Sequence, residues 1–336
     1  MKSTLLSLFF LVAQNVLGQQ GPSFQHYCVP FMPTNCEIAW TATTNQIPTA
    51  LWIYKTVPQH FPDEAISNLV AMGSFTSSDR MTVTDEERAQ ATPKQRAAAE
   101  NAVGFHRKNE KRSLTIYPAT GYISYSDAEA DVRYPIEDVP DEATAQELGL
   151  KLFDQFGFPR SDLARKPNSS ELLTLKKGVS RSHFDKEQRK TVEDGAASRG
   201  VMFDRRIDGV NFAGMGVGGG FSVLFASHAA VAQLELVWRN LKPYKKYSVA
   251  APAQMEQWIK EGKAAVRIRD AKKVNPRAVK KFTITEISPL YMGELGLFPQ
   301  DFTYPFADLT VLADTGQTNI AIQLYCPILT DKDVNP

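Results

Sequence analysis

Cysteine is scarce, with three residues in a chain of 336. Three cannot staple a disulfide-dense miniprotein, and no Cys-x-x-Cys pair exists to hold zinc. An excess of one charge is missing too: 38 Lys and Arg face 37 Asp and Glu, a net charge of +1. A chain so balanced lacks the global basic excess of a nucleic-acid binder. Beyond its first residues it has no apolar run of the roughly 20 residues that a membrane span needs. The five histidines, His26, His60, His106, His183 and His228, include no i, i+4 pair for a metal. No serine lies in a Gly-x-Ser-x-Gly elbow, so a hydrolase nucleophile has no local signature. What remains, 43% hydrophobic and 22% charged residues, is ordinary globular composition. At roughly 150 residues per domain, the length suggests two domains.

Residues 1–18 read as a secretory signal peptide. Lys2 supplies the positive start, residues 5–12 a short apolar core, and Val16 and Gly18 the small pair before a cut at Gln19. An uncleaved anchor is the other reading, but the run is short for a span. Cleavage leaves 37 basic against 37 acidic residues. The expected product is secreted, extracellular or periplasmic, with no membrane span. Cys28 and Cys36 lie eight residues apart with Pro30 and Pro33 between them, and a local disulfide is expected there. Cys326 falls in the alternating run Ile320, Ile322, Leu324, Cys326, Ile328, which puts it on the buried face of a strand. It reads as a free thiol, or else as a long-range bridge to the N-terminal segment. Asn168-Ser169-Ser170 is a glycosylation sequon if the host is a eukaryote.

Regular patterning begins at Ala50. Residues 50–57 read as a strand. Pro62-Asp63-Glu64-Ala65 opens a helix, because proline suits the first helical position and acids its first turn. Thr92 with Gln95 forms a candidate capping box before an Ala-rich helix. Residues 106–112 read as a charged loop and residues 114–125 as a hairpin turning at Thr120-Gly121. Pro140-Asp141-Glu142-Ala143 then repeats the first helix start 78 residues on, which raises the question of an internal duplication. Strands dominate the second half, at residues 172–179, 201–212, 221–225, 231–238, 282–287, 309–313 and 319–329. A third helix starts at Pro252. Meanders of alternating strands with segregated helices mean α+β, with antiparallel sheets and a few helices packed on one face. The expected division is residues 1–18 as signal, 19–49 as a Cys-containing segment, 50–165 as a first lobe and 166–336 as a strand-rich second lobe.

Residues 214–219 match G-x-G-x-x-G. A dinucleotide site needs a helix N-terminus next, whereas the alternating Phe221-Ser222-Val223-Leu224-Phe225 follows, so a hairpin connection is the reading and no cofactor is implied. The dense charges of residues 204–209 read as a salt-bridged strand end. Residues 260–281 carry nine basic residues against Glu261 and Asp270, a local charge of +7. Alternation of Val266 and Ile268 with Arg267 and Arg269 would put both arginines on one solvated strand face. Together with Lys272, Lys273, Arg277, Lys280 and Lys281 they form either a charge-protected edge or a patch for an acidic protein or polyanion. Nucleic acid is not expected as a partner.

The hairpin Leu-Thr-Ile-Tyr-Pro-Ala-Thr-Gly-Tyr-Ile-Ser-Tyr at 114–125 resembles the strand–Gly–strand element of PepSY-type modules. The stretch 207–238 does so too, with its glycine-marked entry, hydrophobic strand, turn and returning strand. The resemblance, which also takes in the YycH and YycI regulators, implies cystatin-like lobes, one helix across an antiparallel sheet, possibly duplicated. It implies binding to or inhibition of other proteins without catalytic residues. The N-terminal cysteine pair and the lack of a membrane helix depart from the bacterial regulators, and no functional residue carries over. The expectation is a secreted, non-catalytic binding or regulatory protein. The alternative is a secreted hydrolase or carbohydrate-active enzyme with a carboxylate pair assembled in space.

Overall fold

A computed structural model describes residues 28–33, 36–45, 47–82, 89–107, 111–130, 138–166, 169–214, 219–293 and 298–330. The expected signal peptide and Asn168 lie outside these residues. The described chain opens with β1 (Cys28–Pro30), β2 (Glu37–Trp40) and β3 (Ala50–Val57). Helices α1 (Asp63–Met72) and α2 (Pro93–Ala98) follow, then β4 (Val103–Arg107), β5 (Arg112–Tyr117) and β6 (Tyr122–Asp127). Helix α3 (Glu142–Gln155) leads to the long pair β7 (Thr174–Asp185) and β8 (Lys190–Asp204). Short strands β9 (Arg206–Ile207) and β10 (Val210–Gly214) precede β11 (Gly220–Phe225), β12 (Val231–Val237) and β13 (Asn240–Ser248). Helix α4 (Pro252–Lys260), β14 (Ala265–Arg267) and α5 (Ile268–Ala271) come next. The chain finishes with β15 (Lys281–Gly293), β16 (Phe302–Thr303), β17 (Pro305–Asp314) and β18 (Asn319–Pro327).

The fold is α+β, built on three sheets. Seven antiparallel strands run in the order β4-β5-β6-β12-β11-β8-β7. Period-2 patterning sends Leu114, Ile116, Ile123, Val201, Phe203, Phe221, Val223, Leu234 and Leu236 to one face, where they share a core with α1 and α3. Helix α3 lies close because residue 149 is glycine: a Cβ there would sit 2.8 Å from Val201 and 3.2 Å from Phe203. Phe153 of that helix is fully buried against Phe221 and Trp238. Burial of such a ring is worth roughly 1.5–3 kcal/mol.

The second sheet has eight strands in the order β1-β14-β18-β17-β15-β10-β9, with β2 also on β15. It is not purely antiparallel, since β2 and β10 both run parallel to the long β15. A three-stranded sheet, β13-β3-β16, shares the core of this second sheet through Leu51, Ile53 and Tyr54. Met255, Trp258 and Ile259 of α4 fill the same core.

Several expectations need correction. The chain does not divide at residues 165/166, because the seven-stranded sheet takes β4, β5 and β6 from one side and β7, β8, β11 and β12 from the other. The two Pro-Asp-Glu-Ala starts do not head two lobes, since α1 and α3 enter one core. They even start in different registers. Pro62 precedes α1 without a side-chain cap, whereas Asp141 caps α3 by accepting from the Thr144 amide at 2.7 Å. The glycine run does not close a hairpin either: β10 before it lies in the eight-stranded sheet and β11 after it in the seven-stranded one. Residues 215–218 lie outside the described chain. Residues 106–112 are not simply a charged loop, because β4 continues through Arg107 and β5 begins at Arg112.

All three cysteines are free thiols, so the expected Cys28–Cys36 bridge is absent. Cys28, on β1, packs with Ala265, Leu290 and Tyr325, while Cys36, just before β2, packs against the main core of the eight-stranded sheet. Proximity in sequence therefore does not bring the two sulfurs into one cluster. Burial pushes the Cys28 thiol up to about 11, against a smaller downward pull from Arg267. Cys326 is fully buried and also raised by burial. Its thiol points to the Met255 carbonyl at 3.8 Å.

Candidate functional site

Two places gather charged and aromatic groups without making a conventional catalytic set. The first is the junction between the two large cores. Asp208 and Gly209, with φ of 49° and 81°, form the two-residue turn that reverses β9 into β10. Positive φ at both positions is the hairpin-turn geometry that Asp-Gly favours. The turn holds Asp208 where the Tyr54 hydroxyl donates to its Oδ2. Burial first, and then this hydrogen bond, raises the Tyr54 phenol. Tyr54 packs edge-on against Tyr291, whose hydroxyl donates to the Trp52 carbonyl at 2.8 Å.

Beside this turn lies Arg205, only 8% exposed. Its Nη1 donates to the Arg239 carbonyl at 2.6 Å, and its guanidinium sits 4.7 Å from the centre of the Trp238 ring. Phe158 stacks on Trp238, 5.1 Å between centroids. Burial brings Arg205 down to about 10, opposed by the nearby Asp162 carboxylate. Asp162 is itself raised, mainly by burial, as is Asp204. The dense charges of residues 204–209 are thus not a surface salt-bridge ladder. They are a buried cation on an aromatic face and an aspartate on a tyrosine, joining one core to the other.

The second place is the small sheet. In β13 the register sets Lys242 opposite Lys55 and Lys246 opposite Trp52. Across the other edge of β3, Phe302 of β16 also faces Lys55. A bulge between Pro243 and Lys245 turns out Tyr244, which is 59% exposed. Its ring contacts Phe302 at 5.1 Å and 55°, and Phe302 contacts Tyr304 at 6.3 Å and 48°. The Lys245 ammonium lies 4.5 Å over Tyr247, and that of Lys246 lies 5.7 Å from the Trp52 ring. Burial raises the Tyr304 phenol, with Tyr247, Asp301 and Tyr244 adding to the effect. Lys55, Lys242 and Lys246 form no ion pair among the described residues. Like charges directly opposite on paired strands destabilise a sheet. Lys55 and Lys242 are such a pair.

The basic run 260–281 fares differently. Its two arginines do not share a strand face: Arg267 ends β14 while Arg269 falls in α5. Two residues of alternation could not reveal that the strand stops there. The Arg267 Nε donates to the Tyr325 hydroxyl at 2.7 Å. Lys260, Lys263, Lys273 and Lys281 pair with Glu256, Glu261, Asp270 and Glu37, at 2.6–2.8 Å. Lys272, Arg277 and Lys280 are exposed but sit on separate turns. The sequence reading passed over residues 242–247, Lys-Pro-Tyr-Lys-Lys-Tyr, where the interleaving of lysine with tyrosine was the available signal.

Among the described residues, no three His, Cys, Asp or Glu side chains are placed to hold a metal, and no helix is long and apolar enough to cross a membrane. His228 lies 3.4 Å from Asp138 on the surface. No protein-family model and no curated protein matches the chain. Among solved structures, an uncharacterized protein from Eubacterium rectale is similar, with a TM-score of 0.42 and 10% identity over 86% of each chain. A likeness of that degree says nothing about what the chain does.

Proposed function

We propose that this chain is a secreted, non-catalytic binding protein whose ligand is acidic and docks on the small sheet, not on residues 260–281. The observation that carries the reading is the cross-strand pair Lys55 and Lys242. Two ammonium groups held opposite each other, with no carboxylate partner among the described residues, cost the sheet stability, and an anion between them removes that cost. Tyr244, which packs on the Phe302 ring opposite Lys55, sets an open aromatic face beside the pair. The resemblance to PepSY-type modules, with binding in place of catalysis, is part of this reading. Among the described residues, burial raises three carboxylates, Asp162, Asp204 and Asp308. Asp162 and Asp204 lie at the junction, while Asp308 lies in the eight-stranded sheet and accepts from Gln323 at 2.8 Å.

The test is elution from an anionic resin. The double variant Lys55→Ala/Lys242→Ala should leave at clearly lower salt than wild type, while the charge-matched Lys272→Ala/Lys273→Ala should shift little. Equal shifts for the two variants would mean that net charge alone governs retention, and the reading would fail.

A further inference from the structure

We infer that the ligand of the small sheet is an acidic carbohydrate, a sugar ring carrying a carboxylate or sulfate group. The inference rests on the binding reading above and narrows it to one ligand class. Placement comes first. Lys242 and Phe302 both stand opposite Lys55, and Tyr244 packs on Phe302, so the two ammonium groups and the open ring share one face of the sheet. The bulge sends Lys246, opposite Trp52, to the other face. The ligand therefore brings an anionic group and a flat apolar face to one place.

Aromatic content comes next. Tyr244 presents an open ring beside the lysines, backed by Phe302 and Tyr304. A tyrosine offers a broad apolar face with a polar tip, which suits the apolar face and hydroxyl rim of a sugar. The edge geometry then excludes an acidic peptide added as a strand. Pro243 has no amide hydrogen to donate, and the bulge beside it breaks the ladder that an incoming strand would continue. The ligand is therefore read by side chains. Nucleic acid fits less well, because successive bases need successive open ring faces. Here the neighbouring rings tilt into one another at 55° and 48°, leaving Tyr244 as the exposed platform. The cations are lysines, point charges that hold an anionic group without requiring a bidentate fit.

Three probes of matched charge separate these outcomes: polygalacturonate, polyglutamate and single-stranded oligo-dT, each titrated at one ionic strength and followed by tyrosine and tryptophan fluorescence. Polygalacturonate should bind about tenfold more tightly than polyglutamate, the increment expected of one good aromatic contact. Tyr244→Ala should erase that difference and leave polyglutamate binding unchanged, while Tyr244→Phe should keep most of it. Because Tyr244 is mostly exposed, these variants should fold as wild type does, which far-UV circular dichroism checks. If polyglutamate or oligo-dT binds as well as polygalacturonate, the sugar inference is overturned while the acidic-ligand reading stands. If none of the three binds, both fall.

Discussion

The junction and the small sheet use the same pairing, a cation over an indole, to opposite ends. At the junction Arg205 lies 4.7 Å from the Trp238 ring, is almost wholly buried and donates to the Arg239 carbonyl. On the small sheet Lys246 lies 5.7 Å from the Trp52 ring and is exposed, with no ion pair among the described residues. Burial decides between the two roles. A desolvated guanidinium must have its partners supplied by the protein, so it holds two cores together. An ammonium in water keeps its charge available to something from outside. Chemical type alone would have grouped them.

The sharpest way to break this comparison is to remove Arg205. Arg205→Ala should lose about 2–4 kcal/mol, because it deletes a charged hydrogen bond and a desolvated cation–π contact and strips the half-buried Asp162 of its attractive charge. The readout is the urea midpoint, with Trp238 fluorescence reporting on the junction. A loss below about 0.5 kcal/mol, the range of ordinary surface substitutions, would show that the junction does not depend on the arginine. The smaller effect has the opposite sign. Lys55→Glu should raise stability by about 0.2–1 kcal/mol at low salt, by turning a like-charge pair with Lys242 into an attractive one. That gain should shrink as salt screens both arrangements. Lower stability at low salt would mean that Lys55 and Lys242 do not repel, and the argument for an anion between them would lose its footing.

Local chemistry was legible where local forces decide. Strand β3 spans Ala50–Val57 as its apolar run predicts, and Thr92 caps α2 through the Gln95 amide at 3.3 Å. The hairpin of β5 and β6 and the buried Cys326 also follow from period-2 alternation. What failed depends on partners distant in sequence. The glycine run looks the same whether the next strand pairs with the previous one or crosses to another sheet. Two cysteines separated by prolines look paired until β1 joins β14 and β2 joins β15. The +7 of residues 260–281 looked available because Glu256 and Glu37 lie outside the counted window. Strand β13 was missed because three lysines and a proline hide its β character, and only its pairing with β3 reveals it.

The order of strands also sets a timetable. The seven-stranded sheet has all its strands once Val237 has been made, whereas β18, which lies between β14 and β17 inside the eight-stranded sheet, ends at Pro327. Chains fold from the N-terminus as they emerge, at roughly 5–20 residues per second. One core can therefore condense while the other lacks an interior strand, its half-built sheet exposing edges to any neighbour. A released chain ending at Ser248 should already yield a protease-resistant fragment from residues 61–238, with β3 and β13 cut away. If no such fragment survives, the two cores condense only together.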